Sequence, residues 1–104
     1  MSIHAEISII CLPAENGTSL GKHVAAAFDA ISHVDGINAT LTALGTQIVA
    51  QDLGTILRAV SASHTAAKSA GAERIISSIR IDERTDKNQT LEDKIESVKK
   101  RIGH

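Results

Sequence analysis

Aromatic side chains are almost missing from this chain: one phenylalanine, Phe28, and no tyrosine or tryptophan among 104 residues. A nucleic-acid binder lays phosphates along a basic stripe and usually stacks bases on aromatic rings. Here the rings are absent, the basic residues are scattered and the formal net charge is −1, which argues against that class. Long apolar runs are lacking too. None approaches the roughly 20 residues that a membrane-spanning helix needs, and no cationic start leads into a hydrophobic segment as in a signal peptide. The lone Cys11 cannot close an internal disulfide, which fits a reducing compartment. The expectation is a soluble, cytoplasmic protein with neither a membrane nor a nucleic acid as partner.

What remains is aliphatic. Hydrophobic residues make up 42% of the chain, enough for a packed core built from Ile, Leu, Val and Ala. A chain this short holds one core, so 1–104 reads as a single domain. Without aromatic bulk such a core leaves a monomer only marginally stable. Self-association would bury surface that one subunit cannot cover.

The run IHAEISIICL (3–12) alternates, with Ile3, Ala5, Ile7, Ile9 and Cys11 on one face, and reads as a strand ended by Pro13. ENGTS (15–19) is a loop closing with helix-capping residue types. Leu20, Val24, Phe28 and Ile31 then recur at helical spacing. INATLTAL (37–44) and QIVAQ (47–51) read as a hairpin reversing at Gly45-Thr46. Asp52 can cap a helix over 53–70, whose apolar stripe is Leu53, Ile56, Leu57, Val60, His64 and Ala67. Strand 74–82 follows, and Thr90 with Asp93 three residues on caps a last helix. The order β-α-β-β-α-β plus a helix predicts a ferredoxin-like α+β fold, an antiparallel sheet with helices on one face. The other face would carry His4, Glu6, Ser8, Ile10, Ser78 and Arg80. A bare mixed face suits sheet-to-sheet pairing, a ligand cleft, or both.

Chemistry-bearing motifs are sparse. The histidines at 4, 23, 33, 64 and 104 include no i, i+3 or i, i+4 pair, and no CxxC is present, so no metal site and no cofactor are expected. No serine has an evident triad around it and Cys11 has no assignable base, which argues against an enzyme. Glu6 is the acid expected on the bare face, as an ion-pair partner of Arg80 across strands or as counter-charge to a cationic ligand. Ser8, Thr46 and Ser78 are candidate hydrogen-bond partners there. His64 falls on an apolar helix stripe, where a satisfied histidine is the usual reading and a subunit contact the other. DERTDKNQT (82–90) is a charge-balanced connector whose Arg84 and Asp86 could instead reach a neighbouring subunit.

The C-terminal run RIISSIRIDERTDKNQTLEDKIESVKKRI resembles the signature of the small thiamine-binding-like proteins, carried by Asp82, Glu83, Arg84, Asp86, Asp93, Lys94, Ile95 and Val98. AEISIICLP is similar to that family's opening strand and ALGTQI to its central G-T turn, and His64 falls where related helices carry an Ala-His-x-Ala or similar run. The resemblance implies a ferredoxin-like fold, dimers formed through the sheets, commonly a tetramer, and binding of thiamine or its hydroxymethylpyrimidine portion. One position departs: Val49 stands where the family often has a glutamate after the turn. The leading expectation is therefore non-catalytic binding of such a ligand by a homo-oligomer, through Glu6, Ser8, Thr46 and Ser78. The alternative is a structural or regulatory interaction protein whose assembly is the functional unit.

Overall fold

Period-two patterning in the first strand sorts its residues as expected. β1 (Ile3–Leu12) buries Ile3, Ala5, Ile7 and Cys11 on one face and turns Glu6, Ser8 and Ile10 to the other. A computed structural model describes residues 2–14 and 17–103. After β1 come α1 (Gly21–Ser32), β2 (Asn38–Leu41), β3 (Thr46–Ala50), α2 (Leu53–Ser69), β4 (Arg74–Glu83) and α3 (Leu91–Arg101). The four strands form one antiparallel sheet in the order β2-β3-β1-β4. Ile31 of α1 with Ile56 and Ala59 of α2 close the core over Ile3, Ala5, Ile7, Ile48 and Ala50. The architecture is the ferredoxin-like α+β fold with an added C-terminal helix.

The helices bury part of the expected stripes, Ile31 in α1 and Ile56 and Ala67 in α2, together with smaller residues that the expectation left out. In α2 the fully buried residues are Ile56, Ala59, Ser63 and Ala67, while Leu53 and Leu57 are exposed. In α1 they are His23, Ala27 and Ile31, with Val24 and Phe28 only part-buried. Small side chains let the two helices approach each other and the sheet closely, and the interaxial distance follows the side chains at the contact. Leu53 and Leu57 are left at the margins.

The reversal between β2 and β3 sits at Ala43-Leu44, closed by Thr42 N–H donating to the Gly45 carbonyl at 2.8 Å, two residues earlier than the expected Gly45-Thr46. Gly45 has another reason to be glycine. A Cβ built there would stand 2.9 Å from the carbonyl oxygen of Ile7, so it marks backbone against backbone.

Helix caps follow the sequence in two places of three. Asp52 Oδ1 accepts from the Thr55 N–H at 2.8 Å. Thr90 and Asp93 form a reciprocal capping box. At α1 the capping residue is Leu20, which offers no side-chain bond, and Ser19 Oγ accepts from the Gly21 N–H at 3.3 Å; Glu15 and Asn16 of the expected loop lie outside the described residues.

α3 lies against the open sheet face at one end only. Lys94 Nζ bonds Asp82 Oδ2 at 2.6 Å, and Leu91 shares two clefts with His4. His4, expected on the bare face, is for that reason 5% exposed. Ile95, Val98 and Ile102 stay uncovered along the rest of the helix.

Candidate functional site

The sheet has a notch. β3 pairs with β1 from Ile3↔Ala50 to Ile7↔Thr46 and then turns away, so β1 beyond Ile7 has no strand neighbour on that side. Backbone groups alternate between the two sides of a strand. The Ile7 carbonyl faces Gly45 on the β3 side, which turns the N–H and C=O of Ile9 into the notch. A cleft of about 310 Å³ opens there. α1 supplies Val24 and Ala27 as an apolar wall, and the hairpin supplies Leu41, Leu44 and the hydroxyl-bearing Thr42 and Thr46.

The four expected ligand residues are divided by the geometry. Ser8 and Thr46 both line this cleft. Thr46 does so from the helix-covered face, where it is 5% exposed, because its register partner Ile7 points that way. Glu6 lies beside the notch, its Cγ 3.5 Å from where a Gly45 Cβ would be, and lines a second, polar depression on the open face with Arg80, Gln47 and Lys94. Ser78 is exposed, one strand over and directly opposite Ser8. Glu6 and Arg80 stand opposite each other across β1 and β4, yet among the described residues they form no ion pair.

Three other expected residues make contacts inside the chain. Arg84 grips Asp86 in a two-pronged pair, Nε to Oδ1 at 2.6 Å and Nη2 to Oδ2 at 3.0 Å. The pair holds the Asp86 carboxyl below its ordinary range and pushes the Arg84 guanidinium up. The connector also binds the chain start, with Ser2 N–H donating to Asn88 Oδ1 at 3.1 Å. His64 Nε2 and Ser77 Oγ are hydrogen-bonded at 2.8 Å, tying α2 to β4. Sequence reading missed this serine–histidine contact, since the two residues meet only through the fold. It lacks the rest of a catalytic constellation: among the described residues no carboxylate orients His64, and neither residue lines the notch or the polar depression. Burial pushes the Cys11 thiol up, away from the thiolate form. Among the described residues no three His, Cys, Asp or Glu side chains converge as a metal site, and no helix is long and apolar enough to cross a membrane.

Residues 5–99 match the family described as thiamine-binding protein. This chain belongs to that family. A UPF0045 protein of Methanothermobacter thermautotrophicus is 38% identical over 100 residues, covering 96% of this chain and 99% of its own. The crystal structure of hypothetical protein MJ1052 from Methanocaldococcus jannaschii superposes with a TM-score of 0.81 at 34% identity, covering 94% of this chain and 96% of that one. A candidate thiamine biosynthesis/salvage protein from Thermotoga maritima superposes at 0.75 with 18% identity, over 94% of this chain and 99% of that one; at that identity the likeness is one of fold.

Within this thiamine-binding family member, the notch is the feature that sequence reading did not find. Its existence depends on where β3 stops relative to β1, and no residue type announces that. Val49, the departure from the family pattern, is half-buried and lines a small cleft with His4 and Leu91 under α3. Glu6 is a carboxylate beside the notch, next to Gly45.

Proposed function

We propose that this chain binds thiamine or its hydroxymethylpyrimidine portion without catalysis, as a homo-oligomer, and that the notch beside β1 is the site. The observation that carries this reading is the unpaired strand edge at Ile9 inside an otherwise apolar cleft. An aminopyrimidine presents a ring-nitrogen acceptor next to an amino donor. A strand edge presents an N–H and a C=O side by side, which is the complementary pair. Aliphatic walls from α1 and the hairpin enclose the flat ring, as most small-molecule sites do. Thr42 and Thr46 add hydroxyls, and Glu6 at the mouth opposes the positive thiazolium. Family membership supports the ligand class.

The exposed stripe Ile95, Val98 and Ile102 on α3 supports the oligomer, and it equally favours the alternative, an interaction protein with no small ligand. Titration calorimetry separates the two. Thiamine and hydroxymethylpyrimidine are injected into protein that has been unfolded, stripped and refolded. Saturable binding near micromolar, about 8 kcal/mol, is expected, weakened for thiamine by Glu6→Gln and little changed for the uncharged pyrimidine. No heat up to millimolar ligand from correctly assembled protein would eliminate the binding reading and leave the interaction protein.

A further inference from the structure

Two opposite charges face each other on the open side of the sheet and do not join. Glu6 and Arg80 are register partners across β1 and β4, a placement in which opposite charges attract. Among the described residues neither side chain has a hydrogen bond or an ion pair. Gln47 of β3 stands opposite Glu6 on its other side, so a row Gln47, Glu6, Arg80 crosses three strands. This row floors the polar depression of about 430 Å³, which His4, Asp82, Leu91 and Lys94 close at one end. Lys94 gives one N–H to Asp82, and an ammonium has three to give.

The depression continues from the notch. Glu6 belongs to its floor, and the same side chain stands beside Gly45, which lines the notch. From Ile9 to Glu6 is about 10 Å along β1, and Arg80 lies one strand further, about 4.8 Å away. Charge changes in order along this path. None of the residues lining the notch is charged; Glu6 is negative and Arg80 positive.

We infer that notch and depression are one extended site, and that its fuller ligand is a phosphate monoester of thiamine. The inference rests on the notch as the thiamine site. With the pyrimidine on the Ile9 edge and the thiazolium over Glu6, a phosphate on the hydroxyethyl arm reaches the Arg80 guanidinium. That fork matches phosphate oxygens two at a time, and the Gln47 amide and Lys94 are further donors. A ligand of one sign leaves either Glu6 or Arg80 facing its like. A thiazolium carrying a phosphate brings both signs, in the order in which the floor presents them. Inorganic phosphate meets Arg80 but has no ring to seat in the notch, and it meets Glu6 and Asp82 as well.

Titration calorimetry in phosphate-free, low-salt buffer tests this on the whole protein, with hydroxymethylpyrimidine, thiamine, thiamine monophosphate and inorganic phosphate as titrants. The monophosphate is expected to bind about tenfold tighter than thiamine, and inorganic phosphate not measurably. Arg80→Gln, at an exposed position, removes the gain and leaves pyrimidine and thiamine bound no more weakly. Arg80→Lys keeps part of it, because a point charge replaces the fork. Thiamine binding with no gain for the monophosphate, or a gain that survives Arg80→Gln, would overturn the extended site and leave the notch standing. Saturable, Arg80-dependent binding of inorganic phosphate without a gain for the ester would make Arg80 a separate anion site and overturn it equally. Failure of both thiamine and its monophosphate to bind would remove the notch reading, and this inference with it.

Discussion

Gly45 is the residue on which the notch turns. It brings the hairpin so close to β1 that a methyl group there would meet the Ile7 carbonyl at 2.9 Å, a backbone atom that cannot rotate aside. Gly45→Ala is expected to destabilise the fold by about 1–3 kcal/mol through overpacking and to weaken ligand binding at the notch. A denaturant midpoint unchanged from wild type, with an unchanged slope, would show that the hairpin gives way freely. Sequence could place a glycine in this turn but not say why. Its role depends on a carbonyl 38 positions away in the chain, and the natural inference from Gly-Thr was a bend that the structure puts at Ala43-Leu44. Glu6 and Arg80 make the converse point. Strand parity set them opposite each other correctly, but whether two long side chains close into an ion pair is a matter of rotamers that periodicity does not touch.

At the scale of elements, strands were more legible than helices. A period of two allows only two faces, and one of them was visibly apolar in β1. A helix offers a continuum of faces, and a search weighted to large aliphatics found Ile56 and Ala67 but chose Leu53 and Leu57 over Ala59 and Ser63, which are buried because close packing favours small residues. The last helix is legible at its start and held there by charge. Asp82 is pulled below the ordinary aspartate range first by its bond to Lys94, and Asp93 first by the Thr90 backbone N–H. Carboxylates depressed in the folded state contribute their stability above the unfolded value of about 4 and lose it as pH falls through the lower, folded value. Attachment of α3 is therefore expected to be complete at neutral pH and to loosen only in strong acid. Carboxyl chemical shifts followed by NMR should show both residues titrating below the ordinary value, with Asp82 returning toward it in Lys94→Met. Titration of Asp82 at the ordinary value in the unaltered protein would mean that the Lys94 contact does not hold α3 in solution.

The whole molecule is drawn out for its length. Its radius of gyration is 15.1 Å, against about 13 Å for a compact domain of this size, and the long extent of 44 Å fits a last helix with no buried residue. An amphipathic helix that buries nothing within its own chain is expected to bury its apolar stripe elsewhere. Ile95→Glu changes a side chain already 57% exposed, so it should leave the circular dichroism of the chain intact while lowering the assembly mass in light scattering. Unchanged mass would remove α3 from the interface. Sequence composition pointed toward assembly through the missing aromatics, but which surfaces remain open depends on what the folded chain fails to cover.

The sheet order has one more consequence. Its two outer strands are unequal: β4 has ten residues and β2 only four. A flat sheet with two long bare edges can add copies without end, as fibrils do. Here only one outer edge is long: on the other side the sheet ends in a four-residue strand, too short to template another chain. The long edge carries charge at four of its ten positions, Arg74, Arg80, Asp82 and Glu83, and charged side chains on an edge strand oppose its extension into polymer.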